Sequence, residues 1–256
     1  MRRIAPTERY YRYFDCKENP KCEASDSLNI YLDKDPDLAK RIARKESITL
    51  GLLGSATYRN PENLVRFLKK LRPDNYTNDK IVIEEISDIA VDIHKKNFKP
   101  DAEIPVLMTK MDMTEMGVQS KSFDILISDF TINFISSIED INRFFKEIER
   151  SIKDDGVALV SVSCNKNFMD KNKYGYNQEN ISPKQVKTFS VYKGLGLKQW
   201  MFTLPQYIEI AKNNGLDVQV LTRRDNEKMG PQFFLKIQKH LEESDDRSSN
   251  SKHDFN

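Results

Sequence analysis

Ile48-Thr49-Leu50-Gly51-Leu52-Leu53-Gly54-Ser55-Ala56 opens a stretch, residues 48–163, in which short apolar runs alternate with amphipathic segments. The apolar run reads as a buried strand and Gly54-Ser55-Ala56 as the turn leaving it. Three more runs repeat the arrangement. Ile81-Val82-Ile83 ends in Glu84-Glu85, Ile104-Pro105-Val106-Leu107-Met108 is followed by Asp112, and Phe123-Asp124-Ile125-Leu126-Ile127-Ser128 ends at Asp129. Strands alternating with helices imply a parallel sheet, and such sheets bind ligands beyond the carboxyl ends of their strands. Four successive ends carrying acidic or small residues therefore describe one crevice.

The intervening helices are signalled by their caps and faces. Asn60 caps the first, Pro61 suits its opening position, and Leu64, Phe67, Leu68 and Leu71 share one side. Residues 72–79 are a loop. Ser87 caps the second helix and turns Ile89, Ala90 and Ile93 inward, leaving His94 on a polar, solvated face. Ile138, Ile141, Phe144, Phe145, Ile148 and Ile152 keep helical spacing before Asp154-Asp155-Gly156 turns into a fifth strand, residues 157–162. Thr203 and Gln206 have capping-box spacing, and that helix runs through Ala211 to stop at Asn213-Asn214-Gly215. Two strands, residues 216–221 and 232–237, complete the pattern. Residues 1–46 read as a polar, aromatic-studded N-terminal leader or cap, with weak helical patterning at residues 38–43. Residues 47–241 form the domain, interrupted by an irregular insertion at residues 164–198. The charged, Ser/Asn-rich residues 242–256 are expected to be a disordered tail.

Composition excludes several classes. The 256 residues include 41 basic and 39 acidic side chains, a formal charge of +2, so no broad cationic field invites nucleic acid or an anionic membrane. No run approaches the roughly 20 apolar residues of a membrane span. Tyr10-Tyr11-Arg12-Tyr13 stands where a signal peptide would carry its apolar run, and a cytoplasmic location is expected. Cys16, Cys22 and Cys164 are too scattered for a structural zinc site, so no metal is expected.

The strand ends carry the chemistry. Gly54 lets backbone approach a ligand with no Cβ in the way, and Ser55 and Ala56 keep that approach open. A pyrophosphate-binding turn would need Gly-x-Gly-x-x-Gly, whereas here Ala56 and Tyr58 follow. A carboxylate at Glu85 accepts hydrogen bonds from a ribose diol. Glu84 competes for that role, and both acids standing solvated at a strand terminus is the alternative. Asp112 can accept from an exocyclic amine such as that of adenine, with Met113 packed on the ring face. Together the acids favour an adenosine-type ligand.

On these residues the chain resembles the class I S-adenosylmethionine-dependent methyltransferases, over residues 48–162 and again over 203–237. The passages that carry the resemblance are Glu85-Ile86-Ser87, Asp112-Met113, residues 122–130 and Ile152-Lys153-Asp154-Asp155-Gly156. It implies a three-layer α/β/α Rossmann-like fold with a mostly parallel seven-stranded sheet whose last strand, residues 232–237, is antiparallel. It implies S-adenosyl-L-methionine as cofactor, held by Gly54, Ser55, Ala56, Glu85, Ile86, Asp112, Met113, Asp129 and Phe130. Gly54 and Ser55 would face the methionine end, Glu85 the ribose, Asp112 and Met113 the adenine, and Phe130 the reacting methyl. The chain departs from the family at Leu52, where an acid is usual, and at Ala56 and Tyr58, where glycines are common. Ser128-Asp129-Phe130-Thr131 replaces the Pro-Pro signature of enzymes that methylate amino groups of nucleic-acid bases.

Methyl transfer to a small-molecule acceptor is the expected activity. Asp129 is the candidate base, with a strand-end cap as its alternative. Tyr11 and Tyr13 from the leader, with Tyr174, Tyr176, Tyr192 and Trp200, are the candidate acceptor contacts. A catalytically silent binding module, or an RNA or protein methyltransferase, are the alternatives; the balanced charge argues against the RNA case, for which Lys166 to Lys173 is the local basic patch. Nothing in the sequence bears on oligomeric state.

Overall fold

The computed structural model describes residues 24–55, 59–97, 103–135, 137–164, 184–185, 200–225 and 231–240. Two helices precede the first strand: α1 (Ala24–Lys34) and α2 (Pro36–Arg44). Asp35 separates them, its carboxylate accepting the Leu38 N–H at 3.0 Å, and Pro36 stands in the first turn where a missing N–H costs nothing. Both helices bury apolar side chains (Leu28, Tyr31, Leu38 and Ile42) in the core. Half of the polar leader is thus core-forming, a role its short apolar runs concealed.

The sheet then builds from β1 (Thr49–Leu53), β2 (Lys80–Glu85), β3 (Val106–Lys110), β4 (Phe123–Asp129) and β5 (Ile152–Ser163). Helices α3 (Arg59–Leu71), α4 (Asp88–Asn97) and α5 (Ile138–Ser151) join them. After the short ribbon β6 (Lys184–Gln185) and β7 (Trp200–Met201) come α6 (Leu204–Asn213), β8 (Leu216–Arg224) and β9 (Gln232–Lys239). The seven-stranded sheet runs β3-β2-β1-β4-β5-β9-β8. Strands β1 to β5 are parallel, and β9 lies antiparallel between β5 and β8. The expected class, a three-layer α/β/α fold with a largely parallel sheet and antiparallel last strand, is the one observed.

Strand alternation distributes the core over both faces. Leu50, Leu52, Ile81, Ile83, Ile125 and Ile127 pack against α1, α2 and α3. Leu53, Val82, Leu126, Val160 and Val162 face Ile141, Phe144 and Phe145 of α5 and Tyr207 of α6. Thr203 and Gln206 close a full capping box on α6, and Gly215 leaves it at φ +73°.

Strand boundaries moved: the last two strands run on to Arg224 and Lys239, and the third and fifth start elsewhere. The third strand starts at Val106 because Pro105 has no N–H for the ladder; only its carbonyl pairs, accepting Ile81 N–H at 2.9 Å. The fifth begins at Ile152, which ends the helical apolar series and pairs with Phe123, with a register shift before Val157.

Candidate functional site

Parallel strands bring the carboxyl ends of β1, β2 and β4 to one edge. Beyond β1 the chain stays with β2 for one more residue, Gly54 N–H donating to the Glu84 carbonyl at 2.8 Å. Gly54 sits at φ +71°, and a Cβ there would lie 2.6 Å from Cγ2 of Thr131. Conformation and space both demand glycine. Thr131 Oγ1 donates to the Leu53 carbonyl at 2.8 Å, closing the end of β1 onto the turn after β4.

Neither Glu84 nor Glu85 is solvated, as the alternative reading would have had them; both are buried. Glu85 is 2% exposed. Its Oε2 accepts Ser55 N–H at 2.9 Å, while Oε1 accepts Ile86 N–H at 2.9 Å and Ser87 N–H at 3.4 Å. Ser87 also caps α4, taking Ala90 N–H at 3.3 Å. Ser55 is gripped from the other side by His94, whose imidazole is hydrogen-bonded to the Ser55 backbone. His94 is 1% exposed rather than on a solvated face, and burial pulls it from 6.5 down to about 4, so it is neutral near pH 7. Its spacing of four from buried Ala90 was the signal for this. Glu84 points to the opposite face, also 2% exposed. Burial first, and then the negative Glu147, raise it from 4.5 to about 7, with Arg150 opposing.

Asp112 and Met113 are tied to the same edge. Met111 N–H donates to the Glu85 carbonyl at 2.9 Å. Asp112 Oδ1 accepts the Thr114 N–H at 2.9 Å and its hydroxyl at 2.8 Å, and Met113 packs half-buried on the α5 side of the core.

At β4, Asp129 Oδ1 accepts a 2.6 Å hydrogen bond from Ser27 Oγ of α1. Phe130 follows at φ +55°, a left-handed conformation that costs a non-glycine residue energy and that marks functional turns. Its ring meets Phe234 edge-on at 6.1 Å between centroids. Tyr31, fully buried, shares a 3.2 Å hydrogen bond with Ser161. Asn133 exchanges two 3.0 Å bonds with the Ser163 backbone, fixing the turn after β4 to the end of β5. Ser27, Tyr31, Thr131 and Asn133 were not singled out in the sequence, since each acts on a partner remote along the chain.

Ala56, Tyr11, Tyr13, Tyr174, Tyr176 and Tyr192 lie outside the described residues. Trp200 pairs through its backbone with Gln185. Among the described residues no cluster of three or more His, Cys, Asp or Glu could hold a metal, and no helix is long and apolar enough to cross a membrane.

A family model described as a methyltransferase domain matches residues 65–160. No curated protein sequence matches the chain. Among solved structures, a methyltransferase dependent on S-adenosylmethionine from Clostridium acetobutylicum superposes with a TM-score of 0.57 at 11% identity, over 92% of this chain and 99% of that one. A second, from Methanosarcina mazei, gives 0.55 at 11% identity over 79% of this chain and 97% of that one. A candidate sarcosine dimethylglycine methyltransferase from Galdieria sulphuraria gives 0.56 at 13% identity over 83% and 86%.

Proposed function

We propose that the chain is a class I S-adenosylmethionine-dependent methyltransferase and that it methylates a small molecule, a reading supported by the methyltransferase-domain match over residues 65–160 and by the shared fold. One observation carries the acceptor class. Helix α1 of the chain itself reaches the end of β4, where Ser27 holds Asp129, so this side of the crevice is walled by the protein's own residues. A walled crevice suits a small acceptor better than a nucleic acid, and the net charge of +2 offers no field to attract one.

The strand ends fit the cofactor. Gly54 makes the positive-φ turn that leads out of β1, and in this reading that turn receives the amino-acid end of the cofactor. Glu85 is preorganised by three backbone N–H groups to receive ribose hydroxyls. Asp112 and Met113, held beside it, suit the adenine edge and face. When bound, the cofactor supplies an electrophilic methyl group on a sulfonium sulfur.

The chain's own residues supply position. An in-line displacement gains most from orientation, so no catalytic side chain is obligatory. Phe130, fixed by its left-handed backbone and by Phe234, lines the approach, while Asp129 orients an acceptor hydroxyl or amine and can take its proton. Residues 164–198, with Tyr174, Tyr176, Tyr192 and Trp200, and the leader tyrosines Tyr11 and Tyr13 complete the acceptor site in this reading.

Labelled methyl transfer tests the proposal. The full chain is incubated with methyl-tritiated cofactor and, in separate reactions, a small-molecule cell extract, total RNA and total protein. Label entering the small-molecule fraction supports the reading. Label entering only RNA or protein, or none in any fraction, overturns it.

A further inference from the structure

Glu84 has a position that invites explanation. It is 2% exposed, and among the described residues neither carboxylate oxygen has a hydrogen-bond partner. Ionising such a group is costly unless something compensates it. In register it stands between Leu53 of β1 and Thr109 of β3, on the face covered by α5. The charged groups that act on it are Glu147 and Arg150 of α5. Of the other charges nearby along the chain, Lys110 pairs with Asp88 of α4 and Asp112 accepts from the Thr114 N–H and hydroxyl.

The same Glu147–Arg150 pair suspends residues 111–118. Arg150 donates to the Val118 and Met116 carbonyls at 2.7 Å each, and to Glu147 at 2.7 Å. Glu147 Oε2 in turn accepts Met116 N–H at 2.9 Å. One guanidinium therefore serves both the segment and any negative charge that appears at Glu84.

We propose that Glu84 is a positioning residue for the cofactor: protonated, it leaves Arg150 on the Met116 and Val118 carbonyls, and ionised, it draws Arg150 away and loosens the segment carrying Asp112 and Met113. The proposal rests on the reading that this segment holds the adenine. Ionisation falls in the neutral range, since Glu84 is raised to about 7 by burial and by Glu147. Cofactor retention thus weakens as pH rises through neutrality.

Calorimetric binding of S-adenosylhomocysteine to the full chain, at about pH 6 and about pH 8.5, tests this. Wild type should lose about tenfold in affinity at the higher pH, while Glu84→Gln keeps one affinity at both. Titration of the ligand is common to both proteins and cancels in the comparison. A pH-independent wild type, or a Glu84→Gln variant with the wild-type dependence, overturns the proposal. Should Glu84→Gln fail to fold, Glu84→Met, neutral and of similar length, carries the same expectation. Asp112→Ala separates the two readings. If it binds as tightly as wild type at the lower pH, the adenine assignment is wrong. If it binds weakly while Glu84→Gln retains the pH dependence, only the role of Glu84 is wrong.

Discussion

The backbone N–H of Ser55 donates to Oε2 of Glu85 at 2.9 Å, so the turn after the first strand and the end of the second move as one unit. Glu85→Ala removes the acceptor for that N–H together with the proposed ribose contact. Affinity for S-adenosylhomocysteine should fall by roughly 1.5–3 kcal/mol, the range for hydrogen bonds to a charged group. Isothermal titration at fixed pH measures it, and an unchanged dissociation constant would place the ribose elsewhere.

Ser27 and Asp129, 102 positions apart, predict a separation of chemistry from cofactor binding. With Ser27→Ala, Asp129 loses a fixed orientation on the proposed acceptor side, and kcat should fall roughly tenfold, the equivalent of about 1.4 kcal/mol. Cofactor affinity should stay within about twofold, since this bond is not among those of Glu85 or Asp112. Equal losses in both quantities would mean that α1 supports the whole crevice rather than the acceptor side.

Buried Glu84 and His94 predict opposed pH dependences of stability. Glu84, raised from 4.5 to about 7, keeps a proton in the folded chain that the unfolded chain has already released, so its contribution falls as pH rises through that window. His94, lowered from 6.5 to about 4, stays neutral when folded while the unfolded chain takes a proton, so its contribution falls as pH drops through its own window. Each amounts to about 3 kcal/mol, and where the windows overlap they offset one another. Denaturant titrations across this range should show Glu84→Gln gaining stability with rising pH and His94→Gln losing it. Slopes of the same sign in both variants would refute the assignment.

Arg72 and Asp79, both fully buried in their side chains and paired at 2.7 Å, predict a large structural loss. Arg72 also donates to the carbonyls of Ile42, Lys45 and Glu46, and Asp79 accepts Ile48 N–H at 2.9 Å. The pair therefore ties the end of α2 to the starts of β1 and β2. Arg72→Ala leaves Asp79 uncompensated and should cost about 3–5 kcal/mol in urea unfolding. A loss below about 1 kcal/mol would show that the site relaxes to admit water.

Residues 174–193 predict a functional dissection of the acceptor site. Replaced by a short Gly/Ser linker, the chain should still bind S-adenosylhomocysteine while methyl transfer disappears, because the proposed ribose and adenine contacts lie on β2 and the segment after β3. Unchanged transfer would put the acceptor pocket elsewhere.

What the sequence determined by itself was local. The alternation of strand and helix, the Ser87 cap, the Thr203 capping box and the glycine turn at Gly54 all follow from spacing within a few residues, and each stands where the sequence placed it. The strand-end position of Glu85 was legible for the same reason, and the antiparallel last strand through the family resemblance. Which of two adjacent acids is solvated, paired or stranded was not legible, because it depends on what other elements lay against each face of β2. Glu85 meets Ser55 and Ser87, whereas Glu84 meets no hydrogen-bond partner among the described residues and lies in the field of α5. Tertiary packing alone decided that His94 would be neutral beneath Ser55 and that Ser27 would hold Asp129. Periodicity reports which side of an element turns inward; the charge state and partner of a buried polar group are set by the remote residues that displace water from it.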